Sequence, residues 1–83
     1  MLEVGYREDF LERFLQYFGD HLEEAGFFLE DISYNNSLRE LGIEEEQFEE
    51  MLIKEYEATG EDLGKIMINV NEDKNIAEIY EIL

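Results

Sequence analysis

The chain has 83 residues, 45% of them hydrophobic and 13% aromatic, which is enough for one small domain with its own core. It contains no cysteine, so disulfides, thiol nucleophiles and zinc–thiolate sites are excluded. Its 23 acidic residues against 6 basic ones give a formal net charge of −17, which opposes direct binding to nucleic acid and to anionic membranes. We therefore predict a single acidic domain over residues 1–83 whose partner is basic.

No targeting or membrane-spanning pattern is visible in the sequence. Residues 1–5 lack the basic and apolar pattern of a signal peptide, and no apolar run approaches the length of a bilayer span. We expect a soluble, cytoplasmic protein that does not contact a membrane.

The first predicted element is a helix over residues 6–25. Its apolar side chains fall on one arc of about 160° when successive residues are placed 100° apart, and charged side chains fill the remainder. Gly26 follows at a position typical of a helix C-terminus. The residues of the arc are Phe10, Leu11, Phe14, Leu15, Tyr17, Phe18, Leu22 and Ala25.

The next segment connects two longer elements. Residues 27–34 are rich in aromatic and apolar side chains and favour either a short strand or an extended loop. The polar residues 35–37 indicate a turn, in which Ser37 caps a short helix over Leu38–Leu41 and Gly42 ends it.

A second amphipathic helix is predicted over residues 44–59, with Gly60 after it. Glutamates at residues 44–46 occupy its first turn, where the helix dipole favours negative charge. Glu55 falls within the apolar arc, where it either reaches solvent or is buried beside His21 or a tyrosine hydroxyl. The apolar residues of the arc are Phe48, Met51, Leu52 and Tyr56.

The C-terminal segment has two β-branched runs, residues 65–70 and 76–83, separated by the polar residues 71–75. This pattern predicts a β-hairpin, although a helix over residues 76–83 also fits because its apolar residues share one face. Those residues are Ile76, Ile79, Tyr80 and Leu83. The predicted fold class is α+β: two amphipathic helices and a short helical turn packed on a small antiparallel β-hairpin, with a third strand left open near residues 27–32. An all-α small bundle is the alternative.

The sequence is poor in the groups that catalysis needs. Ser33, Ser37 and Thr59 are the only hydroxyl nucleophiles apart from tyrosines, and His21 is the only histidine that can activate one. Paired carboxylates are abundant, but a domain of this size seldom builds the cleft that holds two of them in place. We expect no enzyme activity, no catalytic residues and no cofactor.

The polar residues near the C-terminus partly match a calcium-binding loop. Oxygen-bearing side chains occupy alternate positions, but Lys74 stands where such a loop needs glycine and Tyr80 stands where it needs glutamate. The matching residues are Asn69, Asn71, Asp73 and Asn75. We therefore expect a polar turn and no metal site.

A short segment resembles acyl carrier proteins, which are small, acidic and helical. The sequence Ser-Leu-Arg-Glu-Leu-Gly-Ile at residues 37–43 is similar to the segment that leads into the second helix of that family. The family then places Asp-Ser-Leu, whose serine carries phosphopantetheine, whereas Glu44, Glu45 and Glu46 occupy that stretch here. The resemblance covers seven residues and implies a carrier-like fold without the carrier chemistry.

The acidic helix faces are the best functional candidate. Most bases lie four residues after an acid and can be neutralised locally, in the pairs Glu3–Arg7, Asp9–Arg13, Glu50–Lys54 and Glu61–Lys65. The outer stripe of the second helix keeps most of its negative charge and has an isoleucine at its centre. The candidate partner-binding residues are Glu45, Glu46, Glu49, Glu50, Ile53 and Glu57. The alternative interpretation of this stripe is a solvated helix face.

These features predict a small acidic binding protein that engages a basic protein surface. The sharpest form is an inhibitor that mimics nucleic acid and occupies a nucleic-acid-binding protein; an immunity or antitoxin-type protein uses the same physics against a toxin. Homodimerisation stays open. The alternative is a carrier-like or adaptor domain without catalytic or prosthetic-group chemistry.

Overall fold

The computed structural model describes residues 4–83, and in this part of the chain five α-helices follow one another without a sheet. Helix α1 spans Arg7–Glu24, α2 spans Leu38–Leu41, α3 spans Glu45–Tyr56, α4 spans Gly60–Ile66 and α5 spans Ile76–Ile82. Single 3₁₀ turns lie at Leu29–Asp31 and Met67–Asn69.

Helix α1 confirms the first predicted helix to within one residue at each end. Its C-terminus is closed in the manner that Gly26 predicts. Gly26 has a φ of +95° and donates its N–H to the carbonyl of Glu23, while Phe27 N–H donates to the carbonyl of Leu22, each at 3.0 Å. The side chains that α1 buries completely or almost completely are Phe10, Phe14, Phe18 and Leu22.

The connection between α1 and α2 is a loop that contains the 3₁₀ turn Leu29–Asp31, so residues 27–34 are not extended throughout and the third strand is wrong. Ile32 is buried, and Phe27 and Leu29 pack against the core while remaining partly accessible. The loop therefore covers the core with apolar side chains, and its backbone does not pair with another strand.

Helix α2 has the predicted bounds and the predicted cap. The Ser37 hydroxyl accepts from Glu40 N–H at 3.1 Å, and the Glu40 carboxylate accepts from Ser37 N–H at 2.9 Å. Gly42 ends the helix with a φ of +70°, a conformation that glycine adopts without a steric cost.

Helix α3 is shorter than the sequence predicts. It begins at Glu45 but ends at Tyr56, where residues 44–59 were expected to be helical. Glu57 takes a left-handed conformation with a φ of +53°, and Ala58 N–H donates to the carbonyl of Leu52 at 3.2 Å. The chain is thereby turned out of the helix before Thr59.

Helix α4 was not predicted, because the second helix was expected to end at residue 59 and residues 65–70 were expected to form a strand. Its start is a capping box: the Thr59 hydroxyl accepts from Asp62 N–H at 3.2 Å, and the Asp62 carboxylate accepts from Thr59 N–H at 3.0 Å. The hydrogen bond that the Asp62 carboxylate accepts from Thr59 N–H, together with the nearby Thr59 hydroxyl, holds the pKa of Asp62 below its ordinary value. Gly60, expected just beyond a helix, is therefore the first residue of a new one.

The predicted β-hairpin is wrong, and residues 4–83 form an all-helical globule. Residues 65–70 complete α4 and the second 3₁₀ turn. Ile66 and Val70 are buried, whereas Ile68 is 80% exposed. A strand would place these three side chains on one face, so the pattern of burial follows the helical period.

Helix α5 confirms the helical alternative for residues 76–83. It is started by another capping box, in which the Asn75 side chain accepts from Glu78 N–H at 2.8 Å and the Glu78 carboxylate accepts from Asn75 N–H at 3.0 Å. Ile76, Ile79 and Leu83 are buried. Their spacing is that of one helical face.

The core lies where α1 packs against α3 and α5. The Phe14 ring is at its centre, with its centroid 4.8 Å from that of Phe18 and 6.4 Å from that of Phe48. The N-termini of α2 and α5 are held side by side by an isolated antiparallel bridge between Ser37 and Asn75. This bridge is the one strand-like pairing in residues 4–83.

Candidate functional site

The predicted partner-binding residues lie along α3 and immediately after it. We define the α3 acidic face as Glu45, Glu46, Glu49, Glu50 and Ile53. Ile53 is 44% exposed, Glu49 is half-buried, and the other glutamates are exposed. One regular helix thus presents carboxylates around an accessible isoleucine.

Glu57 departs from the predicted stripe. Helix α3 ends at Tyr56, so the helical angle that placed Glu57 beside Ile53 does not apply to it. Its side chain is exposed in the turn that follows the helix. It is therefore an accessible carboxylate near the end of α3 and not a member of the α3 acidic face.

Two of the predicted local ion pairs are confirmed. Lys54 Nζ lies 2.9 Å from the Glu50 carboxylate, and this hydrogen bond raises the pKa of Lys54. Lys65 Nζ lies 3.3 Å from the Glu61 carboxylate. Within the described residues, Glu50 is the one carboxylate of the α3 acidic face with a basic side chain within 4.0 Å.

Arginines are placed mainly by tertiary contacts. Arg7 pairs with Glu81 at 2.7 Å, and its predicted partner Glu3 lies outside the described residues. Arg39 pairs with Asp73 at 2.6 Å, which raises the pKa of Arg39. Both pairs join segments that are far apart in sequence, so these arginines link parts of the fold to one another. They do not neutralise the carboxylates of the α3 acidic face.

A shallow groove of about 470 Å³ lies between α3 and α4, beside the α3 acidic face. We call it the α3–α4 groove. Sequence analysis missed it because α4 was not recognised, although Thr59-Gly-Glu-Asp62 has the pattern of a capping box. Its lining residues are Glu49, Gly60, Leu63, Gly64, Met67 and Ile68.

A larger cleft of about 1000 Å³ lies elsewhere, between the N-terminal segment, α1 and the end of α3. Arg13 forms part of its wall: it donates to the Glu55 carbonyl at 3.0 Å and lies 5.2 Å from the centre of the Tyr56 ring. Arg13 makes no ion pair with Asp9, so that predicted pair is wrong. The cleft reaches Val4, the first residue that the structure describes, and its lining is mostly polar.

The side chains considered for catalysis are engaged in local structure. The Ser37 and Thr59 hydroxyls cap α2 and α4, and the Ser33 hydroxyl accepts from Asn35 N–H at 3.3 Å. His21 is exposed, and its Nε2 lies 3.2 Å from the Gly42 carbonyl oxygen. The structure brings none of these hydroxyls to His21 within the described residues.

The oxygens that resemble a calcium loop are also used locally. The Asn71 side chain accepts from the N–H groups of Asp73 and Lys74, at 2.9 and 3.1 Å. Asn75 caps α5, and Asp73 binds Arg39. In residues 4–83 no group of three or more histidine or acidic side chains is arranged around a common point that could hold a metal ion.

Comparison of the chain with protein-family models, with curated protein sequences and with solved structures gives no match. None of the helices in residues 4–83 combines the length and the apolar character needed to cross a membrane. The functional conclusion therefore depends on the geometry and charge of the surface.

Proposed function

We propose that this protein is a small acidic binding protein that engages a basic surface of another protein through α3. The observation that carries the proposal is the α3 acidic face, where four glutamates, three of them exposed and Glu49 half-buried, lie around an isoleucine that is 44% exposed. Within the described residues, Lys54 is the one base within 4.0 Å of any of these carboxylates.

The physical reason is that a face of this kind is unfavourable in the isolated chain. Glu45 with Glu49, and Glu46 with Glu50, are like-charged pairs four residues apart, and each pair destabilises a helix by about 0.2–0.5 kcal/mol. A basic partner relieves this repulsion and is attracted over a long range, which raises the association rate. Ile53 supplies the apolar contact that slows dissociation.

The partner is sought by capture at low salt. The protein is immobilised, and proteins retained at about 50 mM salt and released at about 500 mM are identified by mass spectrometry. Two matched baits carry three Glu→Gln changes each: Glu45, Glu46 and Glu49 on α3, or Glu8, Glu12 and Glu23 on α1.

The two baits have the same net charge, so they separate a defined site from general attraction. We expect the partner to be lost from the α3 variant and retained by the α1 variant. Equal loss from both variants, with both still folded, would contradict a site on α3.

Binding kinetics with the captured partner test the division of roles on the surface. Ile53→Ala is expected to raise the dissociation rate by about tenfold. Glu45→Lys with Glu46→Lys is expected to lower the association rate at low salt by a similar factor and to have less effect at high salt. If both variants bind as the parent does while remaining folded, the α3 acidic face is a solvated surface.

Competition experiments identify the class of partner. Carboxylates held at regular intervals on a rigid helix can stand in for phosphates, so a nucleic-acid-mimicking inhibitor is displaced from its target by duplex DNA. An immunity or antitoxin-type protein instead abolishes the activity of a toxin in a mixing assay. The proposal includes no catalytic step and no cofactor.

A carrier-like or adaptor domain is the second candidate. The observation that favours it is that residues 37–43, which resemble the carrier segment, contain α2 and lead directly through Glu44 into α3. Such a domain uses shape and apolar contact more than charge. Its binding to a partner is expected to change little between about 50 and 500 mM salt, whereas the acidic binding protein loses affinity over that span.

A further inference from the structure

The α3–α4 groove is an apolar depression on an otherwise acidic surface. Leu63 and Met67 pack against the core from beneath it, and Ile68 lines it while being 80% exposed. Glu49 of the α3 acidic face forms part of the wall, and Ile53 lies one helical turn further along α3. The groove is therefore continuous with the surface proposed to bind a partner.

Two glycines on α4 contribute no side chain to the lining of the groove. Gly60 and Gly64 both line it, neither has a positive φ, and a Cβ added at either would meet no atom within 4 Å. In the interior of a helix, glycine is less stable than alanine by about 0.5–1 kcal/mol. Nothing inside the described protein requires glycine at residue 64, so the space it leaves is available to an atom from outside.

Charge selects the occupant. A second copy of this chain would bring another net charge of −17 to the same surface, and the repulsion opposes such a dimer. Lys54 and Lys65, the bases on α3 and α4, are already paired with Glu50 and Glu61. The surroundings of the groove therefore favour a cationic partner.

We propose that the α3–α4 groove receives the apolar face of a basic amphipathic helix of the partner, and this inference rests on the proposed function. The apolar anchors of such a helix recur at i, i+3, i+4 and i+7 and can lie along Leu63, Met67 and Ile68. Gly64 lets the helix backbone approach closely, and lysines or arginines beside the anchors face the carboxylates of α3.

The test uses two synthetic peptides of about 18 residues made of leucine and lysine. In the first peptide the leucines follow the helical period and form one face; in the second the same residues are shuffled so that no apolar face forms. Affinity is measured by calorimetry at about 50 mM salt. Two variants probe the groove: Gly64→Leu fills it, and Ile68→Ser removes its most exposed apolar side chain. Gln16→Leu adds a leucine at an exposed position on α1 as the matched control.

We expect the parent to bind the amphipathic peptide about tenfold more tightly than the shuffled one. Gly64→Leu and Ile68→Ser are each expected to reduce that affinity about tenfold and to leave the shuffled peptide unaffected, while Gln16→Leu behaves as the parent. Circular dichroism and thermal unfolding establish that the variants are folded; Gly64→Leu is expected to be as stable as the parent or more so.

The outcomes separate this inference from the proposed function. If both peptides bind equally and the groove variants change neither affinity, the groove proposal is overturned and the acidic surface stands. If neither peptide binds at low salt, both the groove proposal and the proposed function are contradicted.

Discussion

At the scale of single residues, Tyr56 is the least satisfied polar group in the described structure. Its hydroxyl is buried and has no hydrogen-bond partner among residues 4–83, although its ring packs on Phe10 and under Arg13. Tyr80 is its natural counterpart, because its hydroxyl donates to the Gly5 carbonyl at 2.7 Å. The Tyr80 hydroxyl therefore stabilises the fold through a hydrogen bond, whereas the Tyr56 hydroxyl does not.

Substituting phenylalanine at these two positions is expected to have opposite effects. Tyr56→Phe removes an unsatisfied buried hydroxyl, so the free energy of unfolding stays unchanged or rises by up to about 1 kcal/mol. Tyr80→Phe removes a hydrogen bond and is expected to lower it by about 0.5–1.5 kcal/mol. Urea unfolding measures both values, and a loss above about 1 kcal/mol in Tyr56→Phe would show that its hydroxyl has a partner after all.

Tyrosine ionisation predicts how stability changes at alkaline pH. Burial raises the pKa of Tyr34 and of Tyr56 above the ordinary value of about 10. The folded state then holds these protons more tightly than the unfolded state, so the stabilisation is fully present below about pH 10 and is lost as the pH rises further. Between about pH 9 and 11.5, the free energy of unfolding is expected to fall less steeply with rising pH for the double variant Tyr34→Phe, Tyr56→Phe than for the parent. Equal slopes would contradict the inference.

At the scale of elements, short helices are defined by their first residues. Helices α2, α4 and α5 have only 4, 7 and 7 residues, and each begins with a reciprocal capping box. Helices this short are only marginally stable in isolation, so the caps and the burial of one face stabilise them. The end of α3 is less well adapted, because Glu57 occupies the left-handed region that suits glycine.

Replacing Glu57 by glycine is expected to stabilise the protein by about 1 kcal/mol, because a left-handed conformation costs a residue with a Cβ more than it costs glycine. Glu46→Gly is the matched control, since it removes the same charge from an exposed position inside α3. It is expected to lose about 1 kcal/mol. Chemical unfolding compares the two variants; equal changes in both would mean that charge, and not backbone conformation, decides the effect.

At the scale of the whole molecule, charge density is the dominant property. An accessible surface of 5218 Å² carries a net charge of −17, which is about one uncompensated charge per 300 Å². The ion pairs involve four of the bases, and Arg13 is held against the Tyr56 ring. Repulsion among the remaining carboxylates therefore opposes the compact state.

Salt is expected to stabilise the fold for this reason. Raising the salt concentration from about 10 mM to about 500 mM shortens the screening length several-fold and weakens the repulsion among exposed carboxylates. The thermal midpoint measured by circular dichroism should rise, and it should rise less in the triple Glu→Gln variant of α3, which carries fewer charges. A midpoint that falls with added salt would show that the ion pairs outweigh the repulsion.

The sequence by itself determined the elements whose pattern admits one interpretation. The wide apolar arc of α1, apart from the exposed Ala25, is found as predicted. So are the cap and the glycine around α2 and the buried residues Phe48, Met51 and Leu52 of α3. The candidate site followed from the same helical spacing, so the carboxylates of α3 and Ile53 could be named in advance. Whether they bind a partner stays a prediction.

Only the tertiary structure decided the C-terminal third and the groove beside the candidate site. The β-branched runs favoured strands, although a run this short also fits a helix, because periodicity distinguishes the two only over longer segments. Burial of Ile66 and Val70 in a core built by α1 and α3, and the pairing of Ser37 with Asn75, select helices there. The α3–α4 groove exists because α4 and the 3₁₀ turn after it form. Leu63, Met67 and Ile68 become neighbours of α3 only through tertiary packing, which depends on many residues at once.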